Sequence, residues 1–368
     1  MKNCIGIINL DENESRMSKL VKNRPLASVP IAGRYRVIDF ILSNMTNAGI
    51  ESIGIFTKNR SRSLVDHLTN GRPWDLHRKK DGLRVFNFGD KDPYYDDVHN
   101  FADNLDFFTK SRKEYVLIAP SYMVCNIDFN DVIEQHKKND NDITIVYKNI
   151  KDAYQKFIGC DIVNLNNEGR VTSIGQNIGR EDNANISLEM YILRTDLFIE
   201  IIYESIRQGL YSKIKNHISK NVNSLKVAAY EFKGYLSCIN SLKSYYKASM
   251  ELLTPEIYSE LFLDNNTIYT KSKDEAPTQY NEECNVENSI IANGSYIEGT
   301  VENSIIGRRV YIGKGAVVKN CIIMQETVIG ENAYLDKVIA DKASVIRDEE
   351  KVIGLEYCPM VVEKPRII

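Results

Sequence analysis

The sequence predicts an α/β protein in two parts, a mostly parallel sheet with covering helices followed by a parallel β-helix. Over residues 1–250, short β-branched or aromatic runs alternate with amphipathic stretches, which is typical of strand–helix–strand units. From residue 284, aliphatic residues recur every six positions. We therefore divide the chain into an α/β domain (1–250), a connecting segment (251–283) and a solenoid (284–368).

The strands and helices of the first domain follow from local patterns. Helices are predicted at Val37–Ala48 and at Asn130–Lys138, because both stretches are amphipathic and lysines followed by asparagines end the second. Buried strands are predicted where short apolar runs are rich in β-branched or aromatic residues: Cys4–Ile8, Ser52–Phe56, Tyr115–Ala119 and Thr144–Tyr147. The connecting segment is predicted where Pro255 and Pro277 lie among polar residues.

The six-residue beat predicts the solenoid. A helix repeats every ~3.6 residues and a strand every ~2, so a beat of six fits neither and favours short strands that each place one aliphatic side chain inside a prism. The beat slips twice, between Ile297 and Ile306 and between Val318 and Ile323, and we interpret the slips as loops or irregular coils. Because a solenoid leaves exposed faces and edges, we expect an oligomer.

Composition excludes several classes of protein. The chain has 368 residues, 43% hydrophobic and 26% charged, with a net charge of -3 and no basic stripe, so neither nucleic acid nor a membrane is an expected partner. Seven scattered cysteines without a C-x-x-C pair suggest neither a zinc site nor a disulfide framework. The sequence shows no signal-peptide pattern and no long apolar stretch, and we expect a cytoplasmic protein.

The segment Val29–Ile50, VPIAGRYRVIDFILSNMTNAGI, carries a family resemblance. Together with Arg72–Leu76 and the hexapeptide tail, it resembles the ADP-glucose pyrophosphorylase (glucose-1-phosphate adenylyltransferase) family over essentially the whole chain. The resemblance implies a Rossmann-like, GT-A-like nucleotidyltransferase domain followed by a left-handed parallel β-helix of hexapeptide repeats. Members of the family join ATP and glucose 1-phosphate into ADP-glucose and pyrophosphate, as tetramers under allosteric control.

The loop that cradles phosphate in the family is acidic in this chain. Where the family has three glycines, the sequence has Asp11, Glu12 and Glu14. Non-glycine residues resist the positive φ angles that such loops use, at ~1 kcal/mol or more each. Carboxylates also repel a polyanion, by between ~1 and ~4 kcal/mol for each contact at ~4 Å. The alternative is an outward-facing, solvated acidic loop, which likewise leaves no triphosphate cradle.

Three further substitutions remove charge that the family uses. Leu26 stands where the family has a phosphate-contacting lysine, and it offers neither charge nor donor. Ser121 and Cys238 stand where the resemblance places two metal-binding aspartates. Neither side chain replaces a hard carboxylate ligand for Mg²⁺. We therefore assign no catalytic residue and no metal site, and we expect Mg²⁺ and ATP binding to be weak or absent.

The base- and sugar-binding motifs of the family are also altered. The corresponding stretches are Asp96–Asn100, Gln176–Ile178 and Asn185–Glu189. Loss of the cradle, the lysine, both aspartates and the sugar contacts together predicts loss of catalysis, whereas one or two losses would predict altered specificity. The chain thus resembles a branch of the family that lacks the catalytic residues and partners a catalytic homologue.

Arg24, Arg34 and Arg36 are the candidate residues for binding an anionic effector. In the family, the positions that match Arg24 and Arg36 lie near phosphorylated metabolites. The alternative is structural: Arg36 pairs with Asp39 or with the C-terminal domain, and the other arginines are solvated. Arg308 and the adjacent Arg309 break the apolar beat of the solenoid, and we expect both to be corner residues that face solvent or a partner.

The leading hypothesis is a regulatory, non-catalytic subunit of glucose-1-phosphate adenylyltransferase, which forms a homo- or hetero-oligomer and raises the activity of a catalytic subunit for glycogen biosynthesis. One alternative is a divergent but active sugar nucleotidyltransferase, for which Asp96, Asp97 and Asp128 are the candidate metal ligands. The other is a stand-alone sensor of sugar phosphates, or a scaffold.

Overall fold

The computed structural model describes residues 1–58, 61–87, 96–209, 213–355 and 357–364. The chain forms two compact units. The first contains Met1–Glu12, Phe40–Leu236 and Asn266–Ile268, and the second contains Asn13–Asp39, Ser237–Asn265 and the chain from Tyr269 onward. Among the described residues, no helix has the length and apolar character needed to cross a bilayer.

The strands before residue 240 include all four that the sequence predicts, with ends that differ by at most a few residues. In chain order the strands are β1 (Cys4–Asn9), β2 (Pro30–Ile31), β3 (Tyr35–Arg36), β4 (Ser52–Thr57), β5 (Gly82–Asn87), β6 (Tyr115–Ala119), β7 (Met123–Val124), β8 (Ile143–Lys151), β9 (Asp161–Leu165), β10 (Val171–Gln176), β11 (Asn183–Arg194), β12 (Val227–Glu231) and β13 (Ser237–Cys238). The predicted strands are confirmed, and β1, β4 and β6 are short apolar runs that are almost entirely buried.

The described helices include both that the sequence predicts. They are α1 (Ser18–Val21), α2 (Val37–Asn47), α3 (Arg62–Leu68), α4 (Asp97–Asp103), α5 (Leu105–Ser111), α6 (Phe129–Lys138), α7 (Thr195–Arg207), α8 (Ile214–Lys220), α9 (Leu242–Glu251) and α10 (Pro255–Phe262). Helix α6 begins at an Asp128 cap, whose carboxylate accepts the backbone N–H of Asn130 at 2.9 Å.

The first unit is built on a nine-stranded sheet. Its main path runs β10-β9-β11-β6-β1-β4-β5, and β8 and β12 extend it from β11. Strands β6, β1, β4 and β5 are parallel neighbours, whereas β11 is antiparallel to both β6 and β8. A cluster of phenylalanines covers one face, with Phe108 in ring contact with Phe56, Phe101 and Phe198. The resulting sheet is the α/β platform that the alternating pattern predicts.

The second unit contains a left-handed parallel β-helix, which confirms the predicted solenoid. Three five-stranded parallel sheets form its faces. The strands are β14 (Gln279–Tyr280), β15 (Asn285–Glu287), β16 (Ile290–Ile291), β17 (Tyr296–Ile297), β18 (Thr300–Glu302), β19 (Ile305–Ile306), β20 (Tyr311–Ile312), β21 (Val317–Lys319), β22 (Ile322–Ile323), β23 (Val328–Ile329), β24 (Tyr334–Asp336), β25 (Val338–Ala340), β26 (Val345–Ile346), β27 (Lys351–Ile353) and β28 (Met360–Val362).

The aliphatic beat forms the interior of the prism. On one face Ile297, Ile312, Ile329 and Ile346 stack in register, and each is fully buried. This ladder explains the periodicity: each coil contributes one aliphatic side chain from each face to a shared core, and neighbouring coils bury it.

The interpretation of the slips as irregular coils is wrong. The slip between Val318 and Ile323 is a regular corner of two residues between β21 and β22, which gives an aliphatic spacing of five, and Asn320 turns it with φ 51°. Asn303 turns the corresponding corner of the preceding coil with φ 45°. Asparagine tolerates this left-handed conformation, so the corner recurs without breaking the stack.

The slip between Ile297 and Ile306 contains two corners. The Asn303 corner lies between β18 and β19, and a corner with a shorter aliphatic spacing, between β17 and β18, precedes it. Ile297 and Val301 face the same core although only a few residues separate them. Gly299 lies in this corner, where a Cβ would collide with the carbonyl oxygen of Ala316 in the next coil. A residue without a side chain is therefore required for the coils to approach so closely.

Candidate functional site

In the first unit, the carboxyl ends of three adjacent parallel strands meet at one edge of the sheet. Strand β1 lies between β6 and β4. The chain leaves β1 into Asp11 and Glu12, leaves β6 into Ser121 and leaves β4 into Lys58. From β1 the strand order runs to β4 and β5 on one side and to β6 on the other, which makes β1 and β6 a topological switch point. Open α/β sheets bind their ligands at such points.

Asp11 occupies this edge with its own carboxylate. One carboxylate oxygen pairs with the ammonium of Lys58, and the other lies 2.8 Å from the ammonium of Lys213. Lys213 also donates to the Asp11 carbonyl oxygen at 2.9 Å. The Asp11 side chain is only 5% exposed. Its charge is therefore compensated by two lysines that come from different parts of the chain.

Glu12 is bound at the end of the neighbouring strand. One of its carboxylate oxygens accepts two hydrogen bonds of 2.7 Å from Ser121, one from the backbone N–H and one from the hydroxyl. Hydrogen bonds to an ionised acceptor are the short, strong kind. Ser121, which stands where the family resemblance predicts a metal-binding carboxylate, thus acts as a donor to an internal anion.

The alternative of an outward-facing, solvated loop is wrong. Asp11 and Glu12 turn inward and are bonded, and both are half-buried. The expected backbone strain is absent as well: none of Asp11, Glu12 and Glu14 is among the residues with positive φ. The loop has exchanged the glycine conformation for one that any residue adopts, and side chains fill the space.

Asp97, at the start of α4, is a buried carboxyl beside this cluster. Its two oxygens accept from the Asn9 amide at 3.0 Å and from the backbone N–H of Ile214 at 3.2 Å. Burial, together with the negative charge of Asp11, raises the pKa of Asp97 from 3.8 to about 7, although Lys213 acts in the opposite direction. Near neutral pH this carboxyl is therefore partly protonated.

A second ionic network, which the sequence analysis did not find, lies on strands β9 and β11. Lys215 lies 3.0 Å from Asp161 and 3.2 Å from Glu189. Burial alone would lower the pKa of Lys215, but the two carboxylates raise it to about 12. Glu189 has φ 54° and lies at a bulge in β11, in the stretch that the resemblance assigns to sugar binding. The three residues are far apart in sequence, and no motif links Lys215 and Asp161 to Glu189.

In the second unit, Glu14 and Leu26 contact each other. The Glu14 carboxylate accepts the backbone N–H of Leu26 at 2.6 Å, and the Leu26 side chain is completely buried. The position that holds a phosphate-contacting lysine in the family is thus an apolar core position. Cys238 is a buried thiol in the same unit.

The three candidate arginines have different contacts. Arg24 is buried and forms an ion pair of 2.6 Å with Asp341. Arg34 donates to the hydroxyl of Tyr35 at 3.0 Å. The backbone N–H of Arg36 donates to Asp39 at 2.9 Å, so Asp39 caps the turn at this position.

A cluster of basic side chains surrounds the Arg24 pair. Burial lowers the pKa of Lys342, and the positive charges of Arg36 and Arg24 lower it further, to about 7. Burial and neighbouring arginines also lower the pKa of Lys273 and of Arg308. Of the two alternatives expected for Arg308, solvent or a partner, exposure to solvent is wrong, because the residue is 8% exposed. Arg309 is exposed and pairs with Glu275 and Glu326.

The carboxylates proposed for an alternative metal site each have a structural partner. Asp96 caps α4 and accepts from the backbone N–H and the ring of His99, Asp97 binds Asn9 and Asp128 caps α6. In the described part of the chain, no group of three or more histidine, cysteine, aspartate or glutamate side chains could hold a metal ion.

Comparison with known proteins identifies both parts of the chain. Residues 14–255 match the family model described as nucleotidyl transferase, and residues 275–357 match the GlmU-like, C-terminal hexapeptide model. Glycogen biosynthesis protein GlgD of Bacillus subtilis is 39% identical over 98% of this chain and 95% of its own length. GlgD of Geobacillus stearothermophilus is 41% identical over 85% of this chain and 82% of its length. A glucose-1-phosphate adenylyltransferase of Clostridium perfringens is 30% identical over 98% of this chain and 99% of its own length.

Proposed function

We propose, since the chain belongs to the glucose-1-phosphate adenylyltransferase family of glycogen biosynthesis, that it is a regulatory subunit without catalytic activity of its own. It assembles with a catalytic homologue into a mixed oligomer and raises the rate at which that homologue makes ADP-glucose. Contacts between subunits bias the homologue between states of low and high activity. We expect this assembly in the cytoplasm.

One observation carries the proposal: side chains of the chain itself fill the strand ends where a triphosphate and its metal would lie. Asp11 is bonded to two lysines and Glu12 to Ser121. Nucleotidyl transfer needs donors and cations that stabilise charge on phosphate oxygens. Here the available donors already hold carboxylates. A nucleotide would have to displace them, and it would then meet their negative charge.

The remaining substitutions add to this effect. Leu26 is buried and apolar, and Ser121 and Cys238 supply no carboxylate for Mg²⁺. Replacing Asp11, Glu12 and Glu14 together by glycine should therefore leave the chain inactive. Turnover of ATP and glucose 1-phosphate by that triple variant would contradict the view that the loss is spread over several positions.

The basic cluster around Lys342 supports regulation by an anionic, phosphorylated effector. A half-buried lysine beside Arg24 and Arg36 gains a favourable partner when an anion binds, and its pKa then rises from about 7. Binding of glucose 1-phosphate or inorganic phosphate at pH 7.5 should therefore take up protons. Calorimetry in two buffers of different ionisation enthalpy measures this uptake. Lys342→Gln should abolish it, whereas Lys156→Gln, at an exposed pair with Asp152, should not.

The direct test of the proposed function is an assay of ADP-glucose synthesis with three samples. They are this chain alone, the glucose-1-phosphate adenylyltransferase of the same organism alone, and the mixture. We expect no turnover from the first and a higher rate from the mixture than from the second, with a heat-unfolded sample of this chain as the control. Turnover by this chain alone would refute the non-catalytic part, and an unchanged rate in the mixture would refute the regulatory part.

Two other functions predict different results. A divergent active nucleotidyltransferase must bind ATP with Mg²⁺ tightly, which calorimetry on the isolated chain measures directly. A stand-alone sensor or scaffold would not co-purify with a catalytic homologue from its native host. Neither is favoured by a specific contact in the described residues, because Asp96, Asp97 and Asp128 are engaged as caps and hydrogen-bond acceptors.

A further inference from the structure

We infer that Asp11 is an internal ligand of a latent anion site: Lys58 and Lys213 form a site for a polyphosphate-class anion, and the Asp11 carboxylate occupies it. The inference goes beyond regulation of a partner, because it concerns what this chain binds when one side chain is removed. It does not depend on whether the chain stimulates a homologue.

The position of the two lysines is the first argument. Lys58 directly follows β4 and Lys213 directly precedes α8, so two separate elements direct ammonium groups toward the carboxyl end of β1. Convergence of cations at the ends of parallel strands is the usual arrangement for holding an anionic ligand. Both lysines remain partly exposed, with 45% and 39% of their side chains accessible, so solvent reaches them.

The way Asp11 is held is the second argument. Its two carboxylate oxygens bind different lysines, which is how a phosphate group with several oxygens would bridge them. Its side chain is almost fully buried although it lies in a loop. A carboxylate in this position provides one negative charge against two positive charges.

Glu12 repeats the arrangement at the neighbouring strand. The backbone N–H and hydroxyl of Ser121 converge on one carboxylate oxygen, both at 2.7 Å. Asp11 and Glu12 are consecutive in the loop, and each therefore accepts from a donor at the end of a different strand: Lys58 after β4 and Ser121 after β6. Asp97, beside Asp11, accepts hydrogen bonds from Asn9 and from the backbone N–H of Ile214.

The test is binding of inorganic pyrophosphate, without metal, by the full chain and its variants. Asp11→Asn keeps the size of the side chain and removes its charge. We expect it to bind pyrophosphate at least ~10-fold more tightly than the wild type, because one repulsive contact at ~4 Å is lost and two cations are released. The gain should decrease at high salt, since the lysines are partly exposed.

Two control variants separate a site from a change in net charge. Asp106→Asn removes the same charge from an exposed pair with Lys110 and should bind as the wild type does. Asp11→Asn combined with Lys213→Met should lose the gain. Equal affinities of the wild type and Asp11→Asn, or an equal gain in Asp106→Asn, would overturn the inference.

A folding defect of Asp11→Asn also gives a decisive result. If the variant is unfolded in buffer, pyrophosphate should restore its folded signal, because a ligand of the native state shifts the equilibrium toward that state. Asp11→Ser, with a shorter polar side chain, provides a second measurement. No recovery by pyrophosphate and no binding by Asp11→Ser would refute the latent site, whatever the mixing assay shows.

Discussion

The buried Asp97 carboxyl predicts that the first unit loses stability as the pH rises from about 4 to about 7. The native state keeps the proton up to a pKa of about 7, whereas the unfolded chain releases it near 3.8. The stabilisation is therefore complete below pH 3.8 and is lost as the pH rises through 7. A pKa difference of this size corresponds to about 4 kcal/mol, at ~1.4 kcal/mol for each tenfold change in proton affinity.

Asp97→Asn removes this dependence, because asparagine does not ionise. We expect the free energy of unfolding of the variant, relative to the wild type, to increase by about 3 kcal/mol between pH 4.5 and pH 8. The absolute stability of the variant is a poor measure, since the amide faces two N–H donors with only one acceptor oxygen. The change with pH in the stability difference between variant and wild type reports the ionisation of Asp97.

Urea unfolding followed by tryptophan fluorescence measures this change in the correct part of the molecule. The chain has one tryptophan, Trp74, which is buried in the first unit. Asp106→Asn, at an exposed ion pair, is the matched control and should show the pH dependence of the wild type. A stability difference between Asp97→Asn and the wild type that stays constant from pH 4.5 to pH 8 would refute the reasoning.

Three further variants test single contacts. Glu14→Ala should destabilise the second unit by about 1–2 kcal/mol in chemical denaturation, because the N–H of Leu26 loses a 2.6 Å charge-assisted acceptor; an unchanged midpoint would contradict this. Arg24→Ala should cost about 3–5 kcal/mol, since it leaves Asp341 buried without its partner, and Arg24→Ala/Asp341→Ala should regain part of the loss. His136→Gln should reduce the loss of stability between pH 6.5 and about 4, because burial lowers the pKa of His136 to about 4; a parallel pH profile would refute it.

The elements that the sequence predicted correctly are those set by local pattern. Strand β6 is apolar because both faces of a central strand are covered, and the ladder from Ile297 to Ile346 repeats because each coil buries one residue per face. The slips were misinterpreted for a local reason. The corner depends on the positive φ of Asn320, and residue spacing carries no information on φ.

The partners of the acidic loop could not be predicted in this way. Asp11 binds Lys58 and Lys213, which are remote from it in sequence and from each other. Lys215 likewise joins Asp161 to Glu189 across two strands. Ion pairs of this kind have no periodicity, and any of the many charged residues is a candidate partner. The sequence predicts that the cradle is lost but does not predict which side chains bind the acidic residues of the loop.

The ion pairs of Asp11 bear on the stability of the first unit. Cations gathered at strand ends repel one another, and an enzyme offsets part of this repulsion when its anionic substrate binds. With Asp11 between Lys58 and Lys213, the compensating charge belongs to the chain and is present at all substrate concentrations. On the proposed function, a chain that does not bind substrate keeps the nucleotidyltransferase fold with this internal charge in place of that of a substrate. Asp11 then both occupies the strand ends and offsets the repulsion between the two lysines.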